Sequence, residues 1–217
     1  MIYKTEIEDF HLLESYKERN LYYKVFGGYF FNEIIPGYEA RKCKFIDLIA
    51  ENRFDEERLY DPEKRVTSIF DKLRNEKINV TFDYHTAQIF KEDKLTDRGE
   101  MSDILITTKS CMISIECKFF SNFDINKDIF SVQNRIRKFA KQFDLIPLQI
   151  LLLKSEKWRY SGKIRTRIDQ QSRSEEDSLI APIIVLFWEE LAELIDNSLV
   201  KEYLLKQLSR KYSIQHI

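Results

Sequence analysis

The chain reads as an α/β fold in one domain, and four stretches of sequence predict it. Val66, Ile69, Phe70 and Leu73 recur at helical spacing, and Ile78, Val80, Phe82 and Tyr84 alternate as on a half-buried strand. PLQILLLK and APIIVLFW are apolar runs of the length that suits buried strands. A length of 217 residues with a hydrophobic fraction of 43% fills one core and is cramped for two. Residues 1–217 are therefore expected to form one unit, with a helical N-terminal addition over 1–60 and an α/β core with C-terminal helices over 61–217.

Taken in order, Phe10, Leu13 and Tyr16 predict a first helix, and Gly27-Gly28 predicts a break. A second helix runs from Glu39 to Glu51, with Phe45, Leu48 and Ile49 on one face. Asp61-Pro62-Glu63 offers an N-cap, a first-turn proline and a first-turn acid to the amphipathic helix that follows. After the strand at 78–84 the polar run KEDKLTDRGE intervenes. SDILI and MISIEC then predict a β-hairpin with Lys109 and Ser110 at its tip. A helix is expected from about Asp128 to Phe143, then two buried strands separated by a basic loop. The end, from Glu189 to about Tyr212, is helical in pattern with an interruption at Asp196-Asn197-Ser198.

Charge and composition exclude several functions. Lys plus Arg number 35 and Asp plus Glu 36, so no global field draws the chain onto polyanions, and nucleic-acid binding must come from local patches. Cys43, Cys111 and Cys117 are an odd set without paired spacing, which argues against a disulfide framework or a Cys-rich zinc site and predicts a reducing, cytoplasmic setting. The start MIYKTEIEDF lacks the features of a signal peptide, and no segment approaches the apolar length of a membrane span, so no membrane partner is expected. His11, His85 and His216 lack metal-ligand spacing, and no Gly-rich phosphate loop is present.

The hairpin carries the candidate chemistry. Residues two apart on a strand project from the same face, so Glu116 and Lys118 point together while Cys117 faces the core. With the hairpin in register, Asp103 at the start of one strand lies near Glu116 at the end of its partner. Two hard carboxylates suit Mg²⁺ or Mn²⁺, and the lysine suits orientation or deprotonation of an attacking water. The plain alternative is that Asp103 caps a strand and Glu116 with Lys118 forms a weak surface ion pair. Glu92-Asp93-Lys94, with Asp83 upstream, satisfies the same loose spacing, but it lies in a polar run that fixes no geometry.

SDILI followed by SIECK resembles the bipartite signature of the PD-(D/E)XK, or restriction-endonuclease-like, nuclease superfamily, over roughly residues 62 to 155. Ser102 stands where the signature has proline. The resemblance implies a core of helix, three-stranded meander, helix and strand, with Asp103, Glu116 and Lys118 as catalytic residues. It also implies Mg²⁺ or Mn²⁺ held by Asp103, Glu116 and the Cys117 carbonyl. Many relatives place another acid on the helix before the meander, and Glu63 is the candidate here; Glu39 and Glu51 remain open, as does a capping role for Glu63. Gln133 takes the place where some relatives carry a glutamine near the site, although helical polar residues are commonly just exposed. The implied activity is endonucleolytic hydrolysis of DNA, in restriction or defence, with a catalytically inactive nucleic-acid-binding or assembly subunit as the alternative.

Arg135 and Lys138 share a helix face that suits phosphate. The stretch from Lys154 to Arg173 holds seven Lys and Arg against two acids, and Lys157, Trp158, Arg159, Lys163, Arg165 and Arg167 are its candidates for contacting nucleic acid. Its alternative reading is a solvated connector. Cutting two strands would suit a homodimer.

Overall fold

A computed structural model describes residues 21–52, 55, 57–61, 65–84, 102–119, 124–160, 166 and 181–209. Expectations placed on residues 1–20, on Glu63, on 85–100, on Lys163, Arg165 and Arg167 and on 210–217 lie outside the described residues, as do the side chains of Lys157 and Arg159.

The architecture is a mixed α/β fold built on one open sheet of six strands. In chain order the elements are a π-helix α1 (Tyr23–Phe30), α2 (Tyr38–Glu51), β1 (Leu59–Tyr60), α3 (Val66–Asn75), β2 (Asn79–Tyr84), β3 (Ser102–Thr107), β4 (Cys111–Lys118), α4 (Val132–Phe143), β5 (Ile146–Leu153), β6 (Ile183–Phe187), α5 (Trp188–Leu194) and α6 (Ser198–Leu208). A π-helical turn at Asn126–Ser131 leads into α4, and a 3₁₀ turn at Ser155–Tyr160 follows β5. Among the described residues no helix is long and apolar enough to cross a membrane.

The strands lie in the order β1-β6-β5-β4-β3-β2. β2, β3 and β4 form an antiparallel meander, β4, β5 and β6 run parallel, and β1 closes the far edge antiparallel to β6. The parallel step from β4 to β5 needs a crossover, which α4 supplies. α4 ends where Asp144 adopts the left-handed conformation at φ 52°, which aspartate tolerates better than most residues.

Strand alternation sorts the core into two faces. Ile104, Ile106, Ile113, Ile115, Cys117, Ile150 and Leu152 belong to the main core, which they share with Phe26, Phe45, Ile69, Phe70 and Trp188 of the helices. On the opposite face Leu105 and Met112 pack with Ile136 and Phe139 of α4, while Leu151, Leu153 and Val185 pack with Ile129 and Phe130. Fully burying one such Leu, Ile or Phe side chain is worth roughly 1.5–3 kcal/mol, so both faces hold the sheet.

Three findings differ from the sequence reading. Gly27-Gly28 does not break a helix: α1 runs through it. The reason is packing, since a Cβ built on Gly27 would stand 3.2 Å from Cζ of Phe82, so the missing side chain lets α1 lie close against β2. Leu59 and Tyr60, read as part of a helical segment, pair with Ile184 and Ile183 as an edge strand. α3 buries the expected apolar positions but begins at Val66 with Arg65 as its N-cap, so Asp61 is not the N-cap; its Oδ2 accepts the Val66 N–H at 2.8 Å from outside the helix.

Candidate active site

The site lies where β4 reaches its carboxyl end, on the face covered by the π turn and α4. Open α/β sheets bind ligands outside the carboxyl ends of parallel strands. Ile104 pairs with Ile115 in the hairpin, so Asp103 and Glu116 stand one position beyond that pair. There the side chain of Asp103 takes over from the ladder, its Oδ2 accepting the Cys117 N–H at 2.7 Å. One carboxylate oxygen is thereby fixed by the main chain of the neighbouring strand. Ser102 pairs in the ladder with Tyr84, and its hydroxyl lies 2.6 Å from that of Ser114 on β4. A proline at that position would offer no hydroxyl to tie β3 to β4.

Glu116 is 5% exposed, and its Oε1 is buried with no hydrogen-bond partner among the described residues. A buried polar atom without a partner is rare, because its lost hydration is not replaced. Burial and then the Asp103 charge push the Glu116 carboxyl well above the usual range; Lys118 and Arg135 pull it down, and Asp128 pushes it up. Lys118 Nζ lies 3.2 Å from Oδ1 of Asp128, with 15% of the lysine side chain exposed. Burial works to lower the Lys118 pKa, but the charges of Asp128, Asp103 and Glu116 overcome it, so the ammonium holds its proton more firmly than an ordinary lysine.

Asp103, Glu116 and Lys118 are thus brought together, and Cys117 is fully buried in the main core between the two site residues of its strand. A divalent ion fits this donor set: an orphaned carboxylate oxygen beside a second carboxylate needs positive charge or a proton, and hard oxygens are the ligands of Mg²⁺ and Mn²⁺. Among the described residues no group of three or more His, Cys, Asp and Glu side chains is placed to hold a metal, so the remaining ligands would be a main-chain carbonyl, water and substrate.

Gln133 is 2% exposed and its amide is committed elsewhere. Its Nε2 donates to Gln149 Oε1 at 2.8 Å and Ala181 O at 3.3 Å, and its Oε1 accepts the Ala181 N–H at 2.8 Å. These bonds tie α4 to β5 and to the start of β6. Arg135 is half-buried on α4, where its charge reaches Glu116 and its guanidinium donates to Ser131; Lys138 is exposed further along the helix. Trp158 is half-buried in the 3₁₀ turn, packed against the cluster that contains Ile129, Leu153 and Phe187.

Sequence reasoning missed Asp128 as a member of the cluster. The available signal was Asp124 and Asp128, four apart before an amphipathic helix, where an acid beside Ile129 and Phe130 is out of keeping with the burial pattern. Compared with family models, curated proteins and solved structures, the chain has no significant match.

Proposed function

We propose that the chain is a Mg²⁺- or Mn²⁺-dependent endonuclease that hydrolyses phosphodiester bonds in DNA, on a restriction-endonuclease-like core of the PD-(D/E)XK kind. The observation that carries the reading is the buried, unpartnered oxygen of Glu116 beside Asp103 and Lys118 at the end of β4. The order of helix, meander, helix and parallel strand in α3, β2–β4, α4 and β5 supports the core assignment.

In this reading Asp103 and Glu116 would hold the ion, and the Cys117 carbonyl is the main-chain ligand that the resemblance implies. When bound, a divalent ion supplies positive charge that acidifies water and offsets charge on the phosphate. Lys118, 3.2 Å from Asp128, would orient the attacking water, help deprotonate it or face a phosphate oxygen. Arg135 and Lys138 offer cations to the duplex backbone, which positions DNA without specifying bases.

The test is incubation of pure protein with single-stranded, duplex and branched DNA and with RNA, with and without Mg²⁺ or Mn²⁺. Metal-dependent cleavage that is lost in Asp103→Ala and in Glu116→Ala is expected. Equal cutting by wild type and variants would remove the assignment. The pairing of Lys118 with Asp128 favours a second reading, a nuclease fold that binds nucleic acid without cutting it, because an engaged ammonium is not free to meet substrate. Binding without cleavage, indifferent to metal, would select that reading.

A further inference from the structure

Asp128 is a buried acid that pairs with Lys118. It lies in the π turn Asn126–Ser131, 3% exposed, next to the core residues Ile129 and Phe130. Its Oδ2 accepts the Asp124 N–H at 2.7 Å, while Asp124 Oδ1 accepts the N–H groups of Asn126 at 2.9 Å and Lys127 at 3.2 Å. This is the reciprocal arrangement of a capping box, spaced by four residues instead of three. The main chain is fixed as well: the Asp128 carbonyl accepts Gln149 Nε2 at 2.7 Å, and Gln149 is in turn held by Gln133. The carboxylate therefore has little freedom of position.

Capping occupies Oδ2 and leaves Oδ1 for the Lys118 ammonium at 3.2 Å. Lys118 projects from the same face of β4 as Glu116, and its flexible stem would let the ammonium close onto the unpartnered Glu116 oxygen. It sits instead on Asp128, and Glu116 Oε1 stays without a hydrogen bond among the described residues. A lysine settled on Glu116 would compete with any cation for that oxygen.

We propose that Asp128 is a positioning residue that holds the Lys118 ammonium off the Glu116 carboxylate, keeping the unpartnered Glu116 oxygen accessible to a divalent cation. The inference rests on the metal-dependent reading of the site, but its test does not require cleavage. Asp128→Asn removes the negative charge that attracts Lys118, while the amide oxygen can still accept the Asp124 N–H. Mn²⁺ binding to the full chain would be measured by calorimetry for wild type, Asp128→Asn, Lys118→Met and the double variant, with circular dichroism on each.

Asp128→Asn is expected to bind Mn²⁺ about tenfold more weakly, in the range of measured effects of outer partners on metal sites. Lys118→Met should bind at least as tightly as wild type, and adding Asp128→Asn to it should cause no further loss, because no ammonium remains to compete. A merely structural Asp128 would weaken binding equally in both backgrounds, and that result overturns the proposal. Binding by Asp128→Asn within twofold of wild type overturns it too. Should Asp128→Asn fail to fold, Lys118→Met alone decides, since weaker Mn²⁺ binding by that variant contradicts competition by the ammonium. If wild type cuts nothing yet the binding pattern holds, the nuclease reading falls and the role of Asp128 stands; if wild type binds no ion, both fall.

Discussion

Glu116→Gln isolates the electrostatic state of the site. The wild-type carboxyl is 5% exposed, faces the Asp103 charge and has one oxygen without a partner. Folding therefore favours the protonated acid, and the folded protein keeps a proton that the unfolded chain gives up above about pH 4.3. The sign follows directly: this group's favourable contribution is present below the unfolded pKa and is lost as pH rises through the raised folded value. Glutamine is nearly isosteric with the protonated acid, so the variant should match wild type at pH 4 and lack the decline. At pH 8 without metal the folded wild type either ionises the buried group or holds a proton that the unfolded chain has released, so the variant should be the more stable, by about 1.4 kcal/mol for each pH unit of the decline. For a chain of this length each 1 kcal/mol moves the melting temperature by about 2–4 °C. Metal narrows the gap: at ten times its Kd, an ion bound only by the folded wild type adds about 1.4 kcal/mol, and the variant should gain much less. Urea or thermal unfolding at several pH values, with EDTA or with Mg²⁺, measures both effects. Parallel pH slopes for the two proteins, or equal stabilisation of both by Mg²⁺, would refute the account of Glu116.

Two further outcomes test the scaffold. Gln133→Ala strands Gln149 and the Ala181 N–H inside the protein, and at about 1–3 kcal/mol for each buried unsatisfied group it should lower unfolding free energy by about 2–6 kcal/mol; a loss under about 0.5 kcal/mol would show that the network is not stabilising. Gly27→Leu places a side chain where Phe82 already stands at 3.2 Å, and overpacking of this kind should cost about 1–3 kcal/mol in urea denaturation; an unchanged midpoint would mean α1 does not pack closely on β2.

Much of the fold was legible because periodicity is local. Val66, Ile69, Phe70 and Leu73 are buried on α3, and the runs at 148–153 and 183–187 are the buried parallel strands β5 and β6. Asp103, Glu116 and Lys118 could be grouped from sequence since hairpin register and strand alternation are short-range geometry. Residues whose behaviour depends on distant neighbours were not legible in this way. Gly27-Gly28 looks like a break until Phe82 is known to press on it, and Leu59-Tyr60 becomes a strand only because β6 presents an edge. Asp128, separated from Lys118 by ten positions and a change of element, reads as an ordinary first-turn acid. Local sequence determines which way a side chain projects from its own helix or strand. Only tertiary packing determines which charges meet out of water, and so it alone decided that Glu116 is stranded and Lys118 is held.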